Sequence, residues 1–289
     1  MPPLSGPRNG LPHLRLVLAV SLDGRLAPPE GGAAQIGGRG DRRVLEEALA
    51  WSDGALLGAE TLRRHGSTCL IHAPDLLERR IQRGLAPQPL ALVASRSGRL
   101  PAGLPFFAQP VERWLLLQKT SGEEAPPTEP LVAAPAESTG AAPGASGPQG
   151  SAEAPTEVSG QEGEVTPPVE AVPLGAGNSV HWPLAHPAGF ARVLPMEGWE
   201  PALRQLAAGG LQRLVVLGGA SLAASLLAED CLDELQFTLC PQLLGGAHTW
   251  LGPSALVPVP ARGGWRLLEQ RRLEGDELLL RYGRAPASG

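Results

Sequence analysis

Short, nearly continuous apolar runs alternate along this chain with stretches whose apolar residues recur every three or four positions. The run Leu14–Val20 is typical of a strand that is covered on both faces. After a turn at Asp23 and Gly24, Asp41 can cap a helix that extends to about Ser52, with an apolar stripe along one side. This alternation predicts an α/β fold.

The same two patterns predict the remaining elements on both sides of a long polar stretch. Strands are predicted at residues 54–58, 89–95, 113–118, 214–217 and 235–239, and helices at residues 59–64, 75–83, 198–208 and 220–228. In the helix at 75–83, Leu76, Leu77 and Ile81 are expected to face the core. Residues 265–273 and 277–282 predict a C-terminal antiparallel hairpin with its turn at 274–276. Together these elements predict a three-layer α/β/α architecture around a central mixed, mostly parallel sheet.

The polar stretch at residues 119–181 differs sharply in composition from its surroundings. It consists mainly of Pro, Ala, Gly, Ser, Thr and Glu, with nine glutamates between Glu123 and Glu170 and no basic residue after Lys119. Such a segment cannot bury enough apolar surface to offset its chain entropy, so we predict a disordered acidic insert. It is interpreted either as a tolerated loop insertion or as an acidic docking arm. Residues 14–118 and 182–289 are then expected to form one discontinuous domain, preceded by a flexible N-terminus at 1–13.

Charge and cysteine content exclude several classes of function. The net charge is −5 and no basic field spans the chain, which argues against nucleic-acid binding. Cys69, Cys231 and Cys240 form no CxxC pair and no metal-ligand spacing with the histidines. No apolar run is long enough for a signal-peptide core or a membrane span. We therefore expect a cytoplasmic protein without a metal site or a membrane partner.

The clearest candidate for binding chemistry is the turn Leu217–Leu222, between a buried strand and a helix. Gly218 and Gly219 allow the backbone to approach a ligand closely, and free N–H groups at a helix start attract an anion such as a diphosphate. Ser221 can add a hydroxyl group. Tight packing of the helix on the strand explains the same glycines, and the sequence leaves both interpretations open.

Two other junctions have comparable chemistry. Gly58–Thr61 follows a strand and opens a short helix, where Thr61 can donate to a phosphate or ribose, although an ordinary helix start explains it too. Ser95–Arg99 follows another strand, and its arginines and hydroxyl groups suit a 2′-phosphate, which favours NADPH over NADH. A basic solvent-exposed turn is the alternative interpretation there.

Five motifs, in this order, resemble the reductase domain of the bifunctional riboflavin-biosynthesis deaminase-reductase. They are SLDGR at 21–25, GALLGAET at 54–61, SRSGRL at 95–100, VVLGGASLAASLL at 215–227 and LDELQFTLCPQLLGG at 232–246. The resemblance implies a dihydrofolate-reductase-like fold and covers both halves of the chain but not the insert. No H-x-E and P-C-x-x-C zinc pattern of the deaminase half is found, so we expect a reductase-type domain on its own.

The resemblance implies an NADPH-dependent reduction of a ribosylamino-pyrimidine or related heterocycle, with hydride transfer to the sugar C1′. It also implies a homodimer. No catalytic acid is identified from the sequence. The implied cofactor contacts are Ala19, Thr61, Ser95, Arg96, Gly218, Gly219, Ala220, Ser221 and Leu222, and the implied substrate contacts are Asp23, Gln35 and His65.

The substrate side departs from the pattern of this family. Leu217 replaces a glutamate, Leu49 and His72 stand where arginines are expected, and Ala33 and Gln35 stand in place of serine and tryptophan. A phosphorylated substrate needs cationic partners, each contributing roughly 1.5–3 kcal/mol. These departures favour an alternative hypothesis, a non-catalytic nucleotide-binding or regulatory relative, whereas the retained cofactor motifs favour a reductase.

Overall fold

A computed structural model describes residues 10–32, 36–118, 189–251 and 264–285 of the chain. All of them belong to one compact unit. The strands are β1 (His13–Ser21), β2 (Gly54–Gly58), β3 (Leu90–Ser95), β4 (Arg113–Gln118), β5 (Arg192–Met196), β6 (Arg213–Val216), β7 (Glu234–Cys240), β8 (Trp265–Arg272) and β9 (Leu278–Arg284). The helices are α1 (Arg39–Trp51), α2 (Ala59–His65), α3 (Pro74–Gln82), α4 (Trp199–Ala208) and α5 (Ala220–Ala228).

The nine strands form one sheet in the order β5-β4-β3-β2-β6-β1-β7-β9-β8. Strands β1 to β7 pair in parallel, and only β9 and β8 are antiparallel. The predicted mixed, mostly parallel sheet with a C-terminal hairpin is therefore confirmed. Strands from both sides of the polar stretch are interleaved, since β6 lies between β1 and β2. The predicted boundaries of the insert and of the N-terminus fall largely outside the described residues and stay predictions.

Helices cover both faces of the sheet. On one face α4 and α5 bury Leu206 and Leu226 against a large apolar cluster that includes Leu56 of β2. On the other face, Ala55 and Leu57 of the same strand contact two clusters to which α1, α2 and α3 contribute. Alternate residues of β2 thus serve opposite layers, as the pleat of a strand requires. A strand that is covered in this way must be apolar throughout, which explains the continuous runs.

Three local predictions are corrected. Helix α1 begins at Arg39, so Asp41 lies inside the first turn and is not the capping residue. Ile81 of α3 was expected to face the core but is 58% exposed, because the helix packs mainly through Leu76. Strand β5 was not predicted; it has only five residues, includes Pro195 and pairs at the edge of the sheet, where proline is tolerated.

Candidate active site

The carboxyl ends of β1, β2 and β6 open into a cavity of about 850 Å³. Ala19 of β1, Gly58 of β2 and Leu217 after β6 form part of its wall. Ligand pockets typically measure roughly 300–1,000 Å³. In open α/β sheets, ligands bind outside the carboxyl ends of the strands, so this cavity is the candidate active site.

The two glycine-containing turns predicted to bind the cofactor meet in this cavity. Gly219 has a φ of +97°, and a Cβ atom on it would lie 2.7 Å from Oγ1 of Thr61. Gly218 has a φ of +88°, and its Cβ would lie 2.6 Å from Cδ2 of Leu18. Both backbone conformations disfavour a side chain, and both positions lack room for one. The turn after β6 therefore approaches α2 through bare backbone.

Helix α5 begins directly at this turn. Gly219 is its N-cap residue, and none of the described side chains caps it. Its first residues, Ala220, Ser221 and Leu222, line the cavity together with Thr61. The first turn of a helix carries unpaired N–H groups and a partial positive charge, which together favour an anionic ligand. This end of the cavity suits a diphosphate.

The turn after β3 lies on the same side of the sheet but outside the cavity wall. β3 is the neighbour of β2, with Ala94 in register with Gly58. Ser95 is buried and accepts a hydrogen bond from the Gly98 amide at 3.0 Å, whereas Arg96 is exposed. The side chain of Ser95 thus shapes the turn, and the guanidinium of Arg96 remains at the surface beside it.

The three expected substrate residues have different environments. His65, at the end of α2, lines the cavity. Asp23 does not line it and instead accepts hydrogen bonds from Ser21 Oγ at 2.5 Å and from the amides of Leu244 and Gly245 at 3.1 and 2.8 Å. These bonds, the one from Ser21 foremost, lower the pKa of the Asp23 carboxyl. Gln35 lies outside the described residues.

The positions that depart from the family pattern also differ in whether they line the cavity. Leu49 is fully buried between α1 and the sheet and does not line the cavity. His72 and Leu217 do line it. Ala33 lies outside the described residues. The wall on this side also includes Arg42 and Cys69.

Sequence reasoning missed the pairing of Asp41 with Glu277. Glu277 is buried and accepts hydrogen bonds from the amides of Gly38 at 2.5 Å and of Asp41 at 2.7 Å, so it caps α1 from the C-terminal hairpin. Asp41 itself lines the cavity. Burial, reinforced by the charge of Glu277, raises the pKa of the Asp41 carboxyl, although a hydrogen bond with Thr238 opposes the shift. The local sequence pattern offered only Asp41 as a cap for α1. The residue that caps the helix, Glu277, is 236 residues away from Asp41 in the sequence, where no local pattern reveals it.

A family model described as the RibD C-terminal domain matches residues 12–128 and 189–272. No curated protein matches the chain. No helix in the described part of the chain is long and apolar enough to cross a membrane.

Several solved structures are similar in fold. A pyrimidine reductase-like protein from Corynebacterium diphtheriae shares 14% identity with a TM-score of 0.61, covering 95% of this chain and 92% of its own. The deaminase and 5-amino-6-(5-phosphoribosylamino)uracil reductase of Thermotoga maritima shares 14% identity with a TM-score of 0.62, covering 96% of this chain and 58% of its own. A riboflavin biosynthesis reductase of Saccharomyces cerevisiae shares 14% identity with a TM-score of 0.54, covering 96% of this chain and 92% of its own.

Proposed function

This chain belongs to the RibD C-terminal domain family, and on that basis we propose that it is an NADPH-dependent reductase of a ribosylamino-pyrimidine. The Thermotoga neighbour is named as a reductase of 5-amino-6-(5-phosphoribosylamino)uracil, and the yeast neighbour as a reductase of riboflavin biosynthesis. The proposed reaction is the corresponding step, in which the sugar ring is opened and reduced to a ribityl chain.

One observation carries this proposal: Gly58 and Thr61 of one turn and Gly219–Leu222 of the other line one cavity. A Cβ atom on Gly219 would clash with Thr61 Oγ1, so only the bare backbone of glycine lets this turn lie directly against Thr61 at the cavity wall. The first turn of α5 would bind the diphosphate, with the Thr61 and Ser221 hydroxyl groups as additional donors. When bound, a reduced nicotinamide supplies the hydride.

The turn after β3 is proposed to select the phosphorylated cofactor. Arg63 of α2 donates to the Arg99 carbonyl at 2.8 Å, which ties this turn to the helix that carries Thr61. Arg96 is exposed at the end of β3, next to the strand that leads to Thr61. A guanidinium group in that position suits the 2′-phosphate of NADPH because it can donate two parallel hydrogen bonds.

The substrate end is less cationic than a phosphorylated sugar would require. Arg42 contacts Glu46 at 3.4 Å, and Arg64 contacts Glu60 at 3.0 Å, so both cavity arginines already have a carboxylate partner. A substrate phosphate would have to compete with these partners. This observation favours either a substrate without a phosphate or the second candidate function, a nucleotide-binding relative without catalysis.

A direct assay separates these possibilities. The purified chain is mixed with NADPH and the deaminated ribosylamino-pyrimidine, with and without its phosphate, and the absorbance of reduced nicotinamide is followed. Loss of absorbance supports the reductase and identifies the preferred substrate. NADPH binding without turnover leaves either another substrate or the non-catalytic relative, and failure to bind NADPH contradicts the reductase. The expected homodimer belongs to the same proposal, and sedimentation analysis tests it.

A further inference from the structure

The side chain of Asp41 belongs to the cavity wall that β1 and α1 form. It is in the first turn of α1, its carboxyl packs against Gly37, and it is hydrogen-bonded to Thr238 of β7. Thr238 is the register partner of Ala19 in the adjacent strand β1. Ala19 is the residue expected to contact the cofactor through its backbone. One strand pair therefore separates the Asp41 carboxyl from the proposed cofactor contact, and both residues line the same cavity.

The neighbouring carboxylate of Glu277 differs from Asp41 in its hydrogen bonds. Both oxygens of Glu277 act as acceptors, Oε1 from the Gly38 amide and Oε2 from the Asp41 amide. It is buried, so its negative charge is poorly screened where it meets Asp41. When two carboxyl groups share a site in this way, one remains ionised and the other retains its proton to higher pH. The hydrogen bonds assign the proton to Asp41.

The other titratable groups around Asp41 strengthen this assignment. Cys240 of β7 and Cys69 of the cavity wall lie close enough to Asp41 for its charge to act on them. Burial, followed by the charge of Asp41, raises the pKa of each thiol, for Cys240 to about 12. Both thiols are therefore neutral near pH 7. Arg42, which follows Asp41 in the sequence, pairs with Glu46 at 3.4 Å, and its side chain is 67% exposed. Asp41 thus faces one fixed carboxylate, two neutral thiols and a cation with another partner.

We propose that Asp41 is the proton donor of this site, delivering its proton to the substrate as the substrate is reduced. This proposal rests on the proposed function. The C1′–O4′ bond of the sugar breaks, O4′ takes the proton of Asp41, and C1′ takes the hydride that the reduced nicotinamide supplies. Asp41 is left as a carboxylate and regains a proton from water. The electron pair of the broken C1′–O4′ bond goes to O4′, and the reaction consumes one proton and one hydride in total, leaving an open, reduced chain.

The first test needs neither cofactor nor substrate. The full chain is labelled with ¹³C at the aspartate carboxyl groups, and the chemical shifts are followed against pH. The signal that disappears in Asp41→Asn should titrate well above that of Asp75, an exposed carboxylate whose pKa the Arg43 side chain lowers. In Glu277→Gln the Asp41 midpoint should move to lower pH. An Asp41 midpoint as low as that of Asp75, or one insensitive to Glu277→Gln, would overturn the proposal.

The second test uses single-turnover reduction. The wild-type rate should be high at low pH and fall as the pH rises through the Asp41 midpoint found by NMR. Asp41→Asn should lose on the order of 10²-fold in rate and lose this pH dependence, with an unchanged NADPH Kd. The matched control Asp75→Asn, on the surface of α3 and outside the cavity wall, should retain the wild-type profile. An Asp41→Asn protein that keeps both rate and profile would refute the role of Asp41.

The two tests separate failure of the inference from failure of the proposed function. If the wild-type protein fails to oxidise NADPH with any ribosylamino-pyrimidine, the reductase proposal fails, and with it the donor role. The NMR titration is independent of turnover and still decides which carboxyl group carries the proton. Circular dichroism of each variant shows that the fold is intact.

Discussion

The amino ends and the carboxyl ends of the parallel strands are built in opposite ways. At the amino ends, the Asp53 carboxylate accepts hydrogen bonds from the amides of Gln212 and Arg213 at 2.9 and 2.8 Å. Asp233 accepts one from the Leu14 amide at 2.8 Å. Carboxylate side chains there join neighbouring strands by hydrogen bonds to their backbone amides. At the carboxyl ends, Gly218 and Gly219 carry no side chain, and the first turn of α5 borders the cavity. The comparison separates the residues that stabilise the sheet from those that leave room for a ligand.

A buried ion network makes the amino ends rigid. Glu234 is 1% exposed and lies 2.6 Å from Nε of Arg15, 3.2 Å from Arg281 and 3.3 Å from His13. Burial opposes its ionisation, but these three partners outweigh burial and lower the pKa of Glu234 to about 2. The guanidinium of Arg15 also stacks on Trp51 at 4.0 Å. Every charge in this network has a partner, so none remains for a ligand.

Arg80 provides a second closure at the amino ends. It is 1% exposed and donates to the carbonyl groups of Leu49 at 3.0 Å and Ser52 at 2.5 Å, at the C-terminus of α1. A cation there interacts favourably with the helix dipole. The carboxylate of Glu277 interacts favourably with the positive end of the same dipole, at the N-terminus of α1. Helix α1 therefore has both ends satisfied within the protein, whereas no described side chain caps α5, and its N-terminus faces the cavity.

Among the variants that test this difference between the strand ends, Glu234→Gln should change the free energy of unfolding most. The substitution leaves Arg15 and Arg281 buried without their carboxylate and should lower the free energy of unfolding by about 3–5 kcal/mol. NADPH affinity of the folded protein should not change. Urea denaturation and cofactor titration measure the two quantities, and Glu78→Gln, on the exposed face of α3, should change stability by less than about 0.5 kcal/mol. Loss of NADPH affinity without loss of stability would show that the amino ends of the strands contribute to cofactor binding and not only to the stability of the sheet.

Acid should have a similar but smaller effect on the wild-type protein. Because the folded pKa of Glu234 is about 2, below the ordinary value of 4.5, its contribution is fully present above pH 4.5 and is lost as the pH falls towards 2. The loss amounts to about 3 kcal/mol over that window. Urea midpoints at successive pH values measure it. In Glu234→Gln the urea midpoint should depend less steeply on pH over this window. An unchanged pH dependence would show that another carboxylate causes the loss of stability in acid.

At the carboxyl ends, Gly219→Val should act on binding. Valine strains a backbone with positive φ and places its side chain against Thr61, where the cofactor is expected. We expect the Kd for NADPH to rise about 100-fold, equivalent to about 2.7 kcal/mol. Gly84→Val is the matched control, because Gly84 also has positive φ, at +72°, but has open space around its Cβ position.

Both glycine variants should lose roughly 1–2 kcal/mol of stability from backbone strain. Only Gly219→Val should lose cofactor affinity, as measured by fluorescence titration of NADPH. Equal affinities in the two variants would show that the turn after β6 does not contact the cofactor.

The smallest expected effect concerns cofactor choice. Arg96→Ala should raise the Kd for NADPH about tenfold, since a charge-assisted hydrogen bond contributes at least about 1.5 kcal/mol. The Kd for NADH should stay the same. Arg79→Ala, an exposed arginine of α3, serves as the control and should affect neither cofactor. An equal rise for both cofactors would mean that Arg96 does not contact the 2′-phosphate.

Most helices and strands, and the glycine pair of the turn after β6, could be predicted from local sequence patterns. Apolar runs such as 54–58 and 214–217 and the helical stripe of α5 are local patterns, and each reflects burial on two faces or on one. Gly218 and Gly219 indicated a close backbone approach before any fold was known. These features were predictable because a few neighbouring residues decide them.

Contacts between residues far apart in the sequence became visible only in the folded chain. It joined β5 to β4 across the polar stretch, and it gave Asp23 the role of holding Leu244 and Gly245. It also brought Glu277 to the start of α1, which freed the Asp41 side chain to face the cavity. Hydrogen bonds and burial between residues far apart in sequence have no local pattern. They arise only when the sheet brings distant strand ends together, which is why the sequence indicated the glycine turn after β6 but not the placement of the Asp41 side chain in the same cavity wall.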